Sequence, residues 1–177
     1  MIILIGGVPC SGKTELMKRL IHRLKTPVEY EPIKLFRCQK HGDVLVLGQY
    51  ATEEIFGGTD RLSYGTINKF RDFIVQEYPK HRHIIVEGDR FFRAKDIEWV
   101  VENYVARVFI LTVNPEEEKR RHLERQDTQT EKWLQGRRTQ IKNLLTNFQL
   151  MGNIDIRENN TPEDSKKIEN ELWKIIL

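Results

Sequence analysis

Met1-Ile2-Ile3-Leu4-Ile5 is apolar at every position, not at alternate ones, and Gly6-Gly7 stops it. A short run of this kind predicts a strand buried on both faces, as in a parallel sheet. Leu16, Leu20 and Leu24 then recur every four residues. Met17 and Ile21 widen the stripe, while Lys18, Arg19 and Arg23 fall off it. That spacing predicts an amphipathic helix, which Thr26-Pro27 ends. Residues 28–50 read as extended structure, clearest at Asp43–Gly48 after a turn at His41-Gly42-Asp43. Residues 53–65 read as a loop rich in Gly, Thr and Asp, and Tyr64–Tyr78 as a helix closed by Pro79. His83-Ile84-Ile85-Val86 is a second buried-strand run, breaking abruptly into Glu87-Gly88-Asp89-Arg90. Residues 94–104 read as helix and 106–113 as a third buried strand; Asn114-Pro115-Glu116-Glu117 is a good helix start. Residues 116–150 are mostly helical in pattern, with a break at Gly136. Residues 153–157 form a short strand, and Thr161-Pro162 opens a terminal helix. Strands alternating with helices predict an α/β fold with a mostly parallel sheet.

Composition narrows the function classes. The chain has 177 residues, 39% of them hydrophobic and 31% charged, which excludes disorder as the dominant state and predicts one domain, residues 1–177. Its apolar runs are far shorter than the ~18 residues a membrane span needs. The N-terminus has no basic segment ahead of its apolar run, so no signal peptide is expected. Two cysteines make no disulfide scaffold, and the cytoplasm is the expected compartment. A formal net charge of +3 permits a polyanionic partner without arguing for one.

Gly7-Val8-Pro9-Cys10-Ser11-Gly12-Lys13-Thr14 fits the phosphate-loop pattern G-x-x-x-x-G-K-[ST] at every fixed position. It lies between a buried strand and an amphipathic helix, the context that the pattern requires. Gly7 and Gly12 allow successive N–H groups, those of Cys10 and Ser11 among them, to turn inward at phosphate oxygens. The positive end of the following helix faces the same anion. Lys13 would reach the β- and γ-phosphates of ATP, and Thr14 would place its hydroxyl on Mg²⁺. The glycines do not fit the dinucleotide pattern G-x-G-x-x-G. Cys10 sits at a variable loop position, and Cys38 reads as a small buried apolar residue.

A second acidic site belongs at the end of a buried strand beside this loop. Glu87 and Asp89 both qualify to hold Mg²⁺ or to accept a substrate proton, and spacing does not separate them; Asp89 is the metal-side choice. Between Lys119 and Lys142, eight basic residues face three acidic ones, an excess larger than that of the whole protein. Arg121 and Arg125 are one helical turn apart; Arg137 and Arg138 follow Gly136. Such arginines suit a lid, about residues 116–142, that closes over ATP and stabilises a transferring phosphoryl group. The same pattern also fits a solvated helix face with i,i+4 pairs.

This layout resembles the small P-loop kinases of the nucleoside/nucleotide kinase group. The shared features are the loop at Gly7–Thr14, the acidic strand end at Glu87–Arg90, and the Arg-rich segment after Asn114-Pro115-Glu116. The resemblance implies a three-layer α/β sandwich around a mostly parallel five-stranded sheet, the P-loop fold, with ATP as phosphoryl donor and Mg²⁺ as cofactor. The Asp-Gly-Phe-Pro-Arg strand end of adenylate-kinase-type enzymes is absent. Gly57-Gly58-Thr59-Asp60-Arg61-Leu62-Ser63 looks like a motif of small phage-encoded kinases, some of which phosphorylate 5-hydroxymethyluracil within DNA. In that position Asp60 would accept a hydroxyl proton, Arg61 and Arg90 would bind phosphate, and Thr59 and Ser63 would read a base or sugar edge. Thr59, Asp60 or Ser63 would equally serve as a helix cap.

The expected function is therefore an ATP-dependent kinase acting on a nucleotide unit, which includes a modified pyrimidine in phage DNA. Free nucleosides or monophosphates, or a small sugar-acid metabolite, remain as other acceptors. A nucleotide-driven switch is the non-enzyme reading, disfavoured because Asn68-Lys69-Phe70-Arg71 lacks the Asp of the guanine-reading motif. No membrane partner is expected, and oligomeric state is left open.

Overall fold

A computed structural model of the chain describes residues 1–50, 57–125 and 129–177. Residues 53–56 of the expected loop, and Asp127 of the basic segment, lie outside the described residues.

The strands are β1 (Ile2–Gly7), β2 (Val28–Tyr30), β3 (Cys38–His41), β4 (Val44–Leu47), β5 (His83–Glu87), β6 (Ala106–Thr112) and β7 (Ile154–Glu158). They form one sheet in the order β2-β3-β4-β5-β1-β6-β7. From β4 to β7 the neighbours are parallel, while β2 and β3 add antiparallel at the β4 side. The five-stranded sheet implied by the resemblance is thus a seven-stranded one. The two extra strands are short and mixed in polarity, so they are strands only because they pair. The His41-Gly42-Asp43 turn, with Gly42 at φ 61°, folds β3 back on β4.

Successive residues of β1 point to opposite faces of the sheet, and each face has its own core. Ile2 and Leu4 pack with Phe70, Phe73, Ile97 and Val100 from α2 (Phe70–Glu77) and α3 (Ala94–Asn103), and with Ile141 and Leu144. Ile3 and Ile5 pack with Leu16, Met17 and Leu20 of α1 (Lys13–Leu24) and with Ile168, Leu172 and Ile176 of α6 (Pro162–Ile176). The result is three layers, helices on both faces of the sheet. Phe73, Phe36, Phe91 and Phe70 stack in that order on the first face, with neighbouring centroids 4.5–6.1 Å apart. This stack fastens the residues after β5 to the helices above them. A reciprocal capping box between Thr161 and Asp164 starts α6.

Two boundaries differ from the sequence reading. The 64–78 helix begins as a 3₁₀ segment, Tyr64–Lys69, and becomes α-helical only at Phe70; Pro79 lies within a further 3₁₀ turn, Tyr78–Lys80. Gly136 does not break a helix. It sits inside α5 (Glu131–Leu145), which Thr130 caps by accepting from the Trp133 amide. Burial of Leu134, Ile141 and Leu144 outweighs the ~1 kcal/mol that a helical glycine costs. Among the described residues, no helix is long and apolar enough to cross a membrane.

The chain leaves β5, crosses β1 and returns as β6, on the other side of β1. Loops after β1 and β5 therefore diverge at the carboxyl edge of the sheet and leave a crevice there, where open α/β sheets bind ligands.

Candidate active site

The loop from Gly7 to Gly12 joins β1 to α1 at this edge. A Cβ on Gly7 would collide with the Leu111 carbonyl, and Gly12 takes a left-handed conformation (φ 85°) against Asn159. Cys10 also has positive φ, 57°, a strained conformation for a residue with a side chain. Neighbouring segments hold it there. Arg121, on α4 (Pro115–Arg125), donates to the Cys10 carbonyl at 3.0 Å and to the Asn159 carbonyl at 2.8 Å. The Asn159 amide donates to the Ser11 carbonyl at 2.7 Å. Inside this braced loop the buried Ser11 hydroxyl has no hydrogen-bond partner. Lys13 Nζ folds back over the loop to the carbonyls of Gly7 (3.0 Å) and Val8 (3.2 Å) and lies 3.9 Å from Asp89. Among the described residues, the loop thus holds an unpaired buried hydroxyl at Ser11 and an ammonium at Lys13, donors of the kind an anion takes.

Three carboxyl groups approach from the far side. Glu87, the last residue of β5, is buried. It accepts from Tyr50 OH at 2.9 Å and from Thr14 Oγ1 at 3.4 Å. Burial pushes its carboxyl up to about 8, against the opposing pull of Lys13 and Tyr50. Gly58 (φ 76°) lies so close that a Cβ there would collide with Glu87 Oε2. Thr59 Oγ1 donates to the Glu87 carbonyl at 2.8 Å, and Arg90 donates to the carbonyls of Thr59 (3.0 Å) and Asp60 (2.8 Å). The 57–61 segment is therefore stitched to the end of β5, which places Asp60 beside Asp89. Burial, then the Asp89 charge, raise the Asp60 carboxyl above the usual aspartate range.

Lys13, Thr14, Asp60, Glu87 and Asp89 line one cavity of about 890 Å³, with Cys10 at the loop end and Arg61, Arg90, Arg93, Arg125 and Arg137 on its walls. The remaining residues singled out in the sequence lie elsewhere. Arg121 does not line the cavity; it braces the loop through the Cys10 and Asn159 carbonyls. Arg138, about 100° round the helix from Arg137, does not line the cavity and donates instead to Glu118 at 2.8 Å and Glu131 at 2.9 Å. Thr59 is buried and donates to the Glu87 carbonyl, and Ser63 caps the 3₁₀ segment by accepting from the Gly65 amide; neither lines this cavity. Glu87, not Asp89, is the carboxylate on Thr14, since a strand's last side chain and the first turn of α1 meet there. The expected lid is also altered: Ile141 and Leu144 anchor the second half of α5 in the core, and Arg120 and Arg121 pair with Glu117. Much of the basic excess is thus a paired helix face, and Arg125 and Arg137 are the part that faces the cavity.

Sequence reasoning gave no role to Tyr50, Tyr64 or Asn159. Nothing local marks Tyr50 or Asn159, which act across 37 and 148 residues of sequence. His81 bonds buried Glu77 at 3.1 Å, and among the described residues no group of three His, Cys, Asp or Glu is placed to hold an ion. No protein-family model and no curated protein sequence matches the chain.

Proposed function

We propose that the protein is a P-loop kinase that transfers the γ-phosphoryl group of ATP to a hydroxyl or phosphate of a nucleotide unit. One observation carries this reading: a strand–glycine loop–helix with Lys13 and Thr14 at its end shares one cavity with three carboxyl groups and five arginines. Such a site positions and neutralises charge, which is most of what phosphoryl transfer asks of a protein.

Lys13 exchanges its two carbonyls for phosphate oxygens. Arg125 and Arg137 compensate the charge that spreads over the transferring group. Asp60 takes the proton of an acceptor hydroxyl as that oxygen bonds phosphorus and the bond to the β–γ bridging oxygen breaks, releasing ADP. Thr14, oriented by Glu87 and behind it by Tyr50, offers a hard oxygen ligand for Mg²⁺. One protein hydroxyl with phosphate and water oxygens is the kind of set this ion accepts. Bound there, Mg²⁺ would neutralise charge on the β- and γ-phosphates.

A small-metabolite kinase would use the same loop, but a cavity of about 890 Å³ is near the upper end for small-ligand sites and suits a larger acceptor. The test is transfer of labelled γ-phosphate from ATP to nucleosides, monophosphates, a sugar acid, and DNA with or without 5-hydroxymethylated pyrimidine. Transfer to a nucleotide-type acceptor is expected; transfer to none of them, or to the sugar acid alone, sinks the reading.

The loop brace yields a separate expectation. Arg121→Ala removes charged hydrogen bonds to the Cys10 and Asn159 carbonyls and should weaken ATP binding about tenfold or more. Arg138→Ala, whose ion pairs are half-exposed and remote from the loop, should leave it within about twofold. Titration calorimetry with ATP separates the two, and equal effects would remove the brace.

A further inference from the structure

Tyr64 is 79% exposed, and its ring lines the cavity. The Arg90 guanidinium lies over one face, 4.1 Å from the ring centroid. Arg90 is not free to follow the ring, because the carbonyls of Thr59 and Asp60 hold two of its nitrogens. Arg90 thus links the Tyr64 ring to the segment that carries Asp60, while most of the tyrosine stays exposed. Trp133 repeats the arrangement from a different element. It stands in the first turn of α5, held by the Thr130 cap, is 37% exposed, and has the Arg137 guanidinium 5.1 Å from its ring centroid. It lines the same cavity.

An aromatic ring backed by a cation on one face and open on the other is a stacking platform for a planar π-system. Stacking of a base on such rings is worth about 1–3 kcal/mol per base, and the arginines add attraction for the phosphates that accompany it. An aliphatic acid offers these rings no π-face. The loop's other flank, where Arg121 and Asn159 sit, does not line this cavity, whereas both rings line it together with Asp60.

From this we infer that Tyr64 and Trp133 form the acceptor-base subsite, which takes an unpaired nucleobase, either in a free mononucleotide or exposed in a single strand. The inference rests on the kinase reading above and names its acceptor. A base in a duplex must leave its stack to enter, at a cost of a few kcal/mol.

Binding tests this without relying on turnover. Fluorescence titrations use three probes, a pyrimidine mononucleotide, a short single-stranded pyrimidine oligonucleotide and ribose 5-phosphate, with ATP titrated separately. The wild-type chain should bind the mononucleotide or the oligonucleotide at least tenfold more tightly than ribose 5-phosphate. Tyr64→Ala and Trp133→Ala should each weaken that binding by about five- to a hundredfold, leaving ATP affinity unchanged. Tyr64→Phe should restore it and Tyr64→Leu should not, since only the former keeps the π-face. A tighter oligonucleotide than mononucleotide assigns the strand as source, and the reverse assigns the free nucleotide. Ribose 5-phosphate binding as tightly as either, or both alanine variants within twofold of wild type, overturns the subsite while ATP binding keeps the kinase reading alive. Loss of ATP affinity in Tyr64→Ala also overturns it, by moving the ring to the donor side. A chain that binds no ATP in any form fails at the kinase reading itself.

Discussion

Replacing Lys13 by alanine is expected to slow γ-phosphoryl transfer by about 10²- to 10³-fold on any acceptor, with the fold retained. Lys13 Nζ lies over the loop, donates to the carbonyls of Gly7 and Val8, and lines the cavity. Its side chain is mostly buried, as is that of Asp89, 3.9 Å away, so its charge acts in a medium less screening than water. A bound phosphate gains a preorganised ammonium and loses nothing that water would not replace. Removing that ammonium also takes away the stronger of the two cations, Lys13 and Arg90, that offset the Asp89 charge at Asp60. Single-turnover transfer with labelled ATP measures the step directly. A Lys13→Ala rate within tenfold of wild type would remove the phosphate-loop mechanism.

Asp60→Asn should cost about 10²- to 10⁴-fold when the acceptor is a hydroxyl, the usual worth of a positioned base. The pH profile gives the sharper signature. An ordinary aspartate titrates near 3.9, and burial together with the Asp89 charge raises Asp60 above this. The active form of a base is the deprotonated one. The wild-type rate should therefore rise with pH through the raised Asp60 value and fall on the acid side sooner than an ordinary aspartate would allow. Asp89→Asn removes the neighbouring charge, so this acid limb should move to lower pH. Asp60→Asn should abolish the limb altogether. An acid limb that persists in Asp60→Asn and vanishes in Asp89→Asn would assign the base to Asp89 instead.

The site was legible in proportion to how local its chemistry is. Gly7, Gly12, Lys13 and Thr14 fall within eight consecutive positions, so one pattern announces them. Glu87 and Asp89 were visible as polar residues that abruptly end an apolar run. Their division of labour was not, because a strand end alone does not say which side chain meets α1. Arg121, Arg125, Arg137 and Arg138 looked equivalent in a basic segment. Packing separated them: one braces the loop, two face the cavity and one pairs with Glu118 and Glu131. Gly136 read as a break because propensity counts a glycine against a helix; the core contacts of Ile141 and Leu144 kept the helix whole.

By itself the sequence determined the alternation of buried strands with helices, the parallel character of the central sheet, and the position of the glycine loop. These follow from patterns within a few residues, where steric limits and hydrophobic periodicity act. Tertiary structure alone decided that the sheet has seven strands, that Tyr50 reaches Glu87 and Asn159 the loop from far along the chain, and that Tyr64 and Trp133 line one cavity with Asp60. The physical reason is the same in each case. Strand pairing, burial and ring stacking between distant segments are energies of contact, and such contacts exist only once the chain has folded.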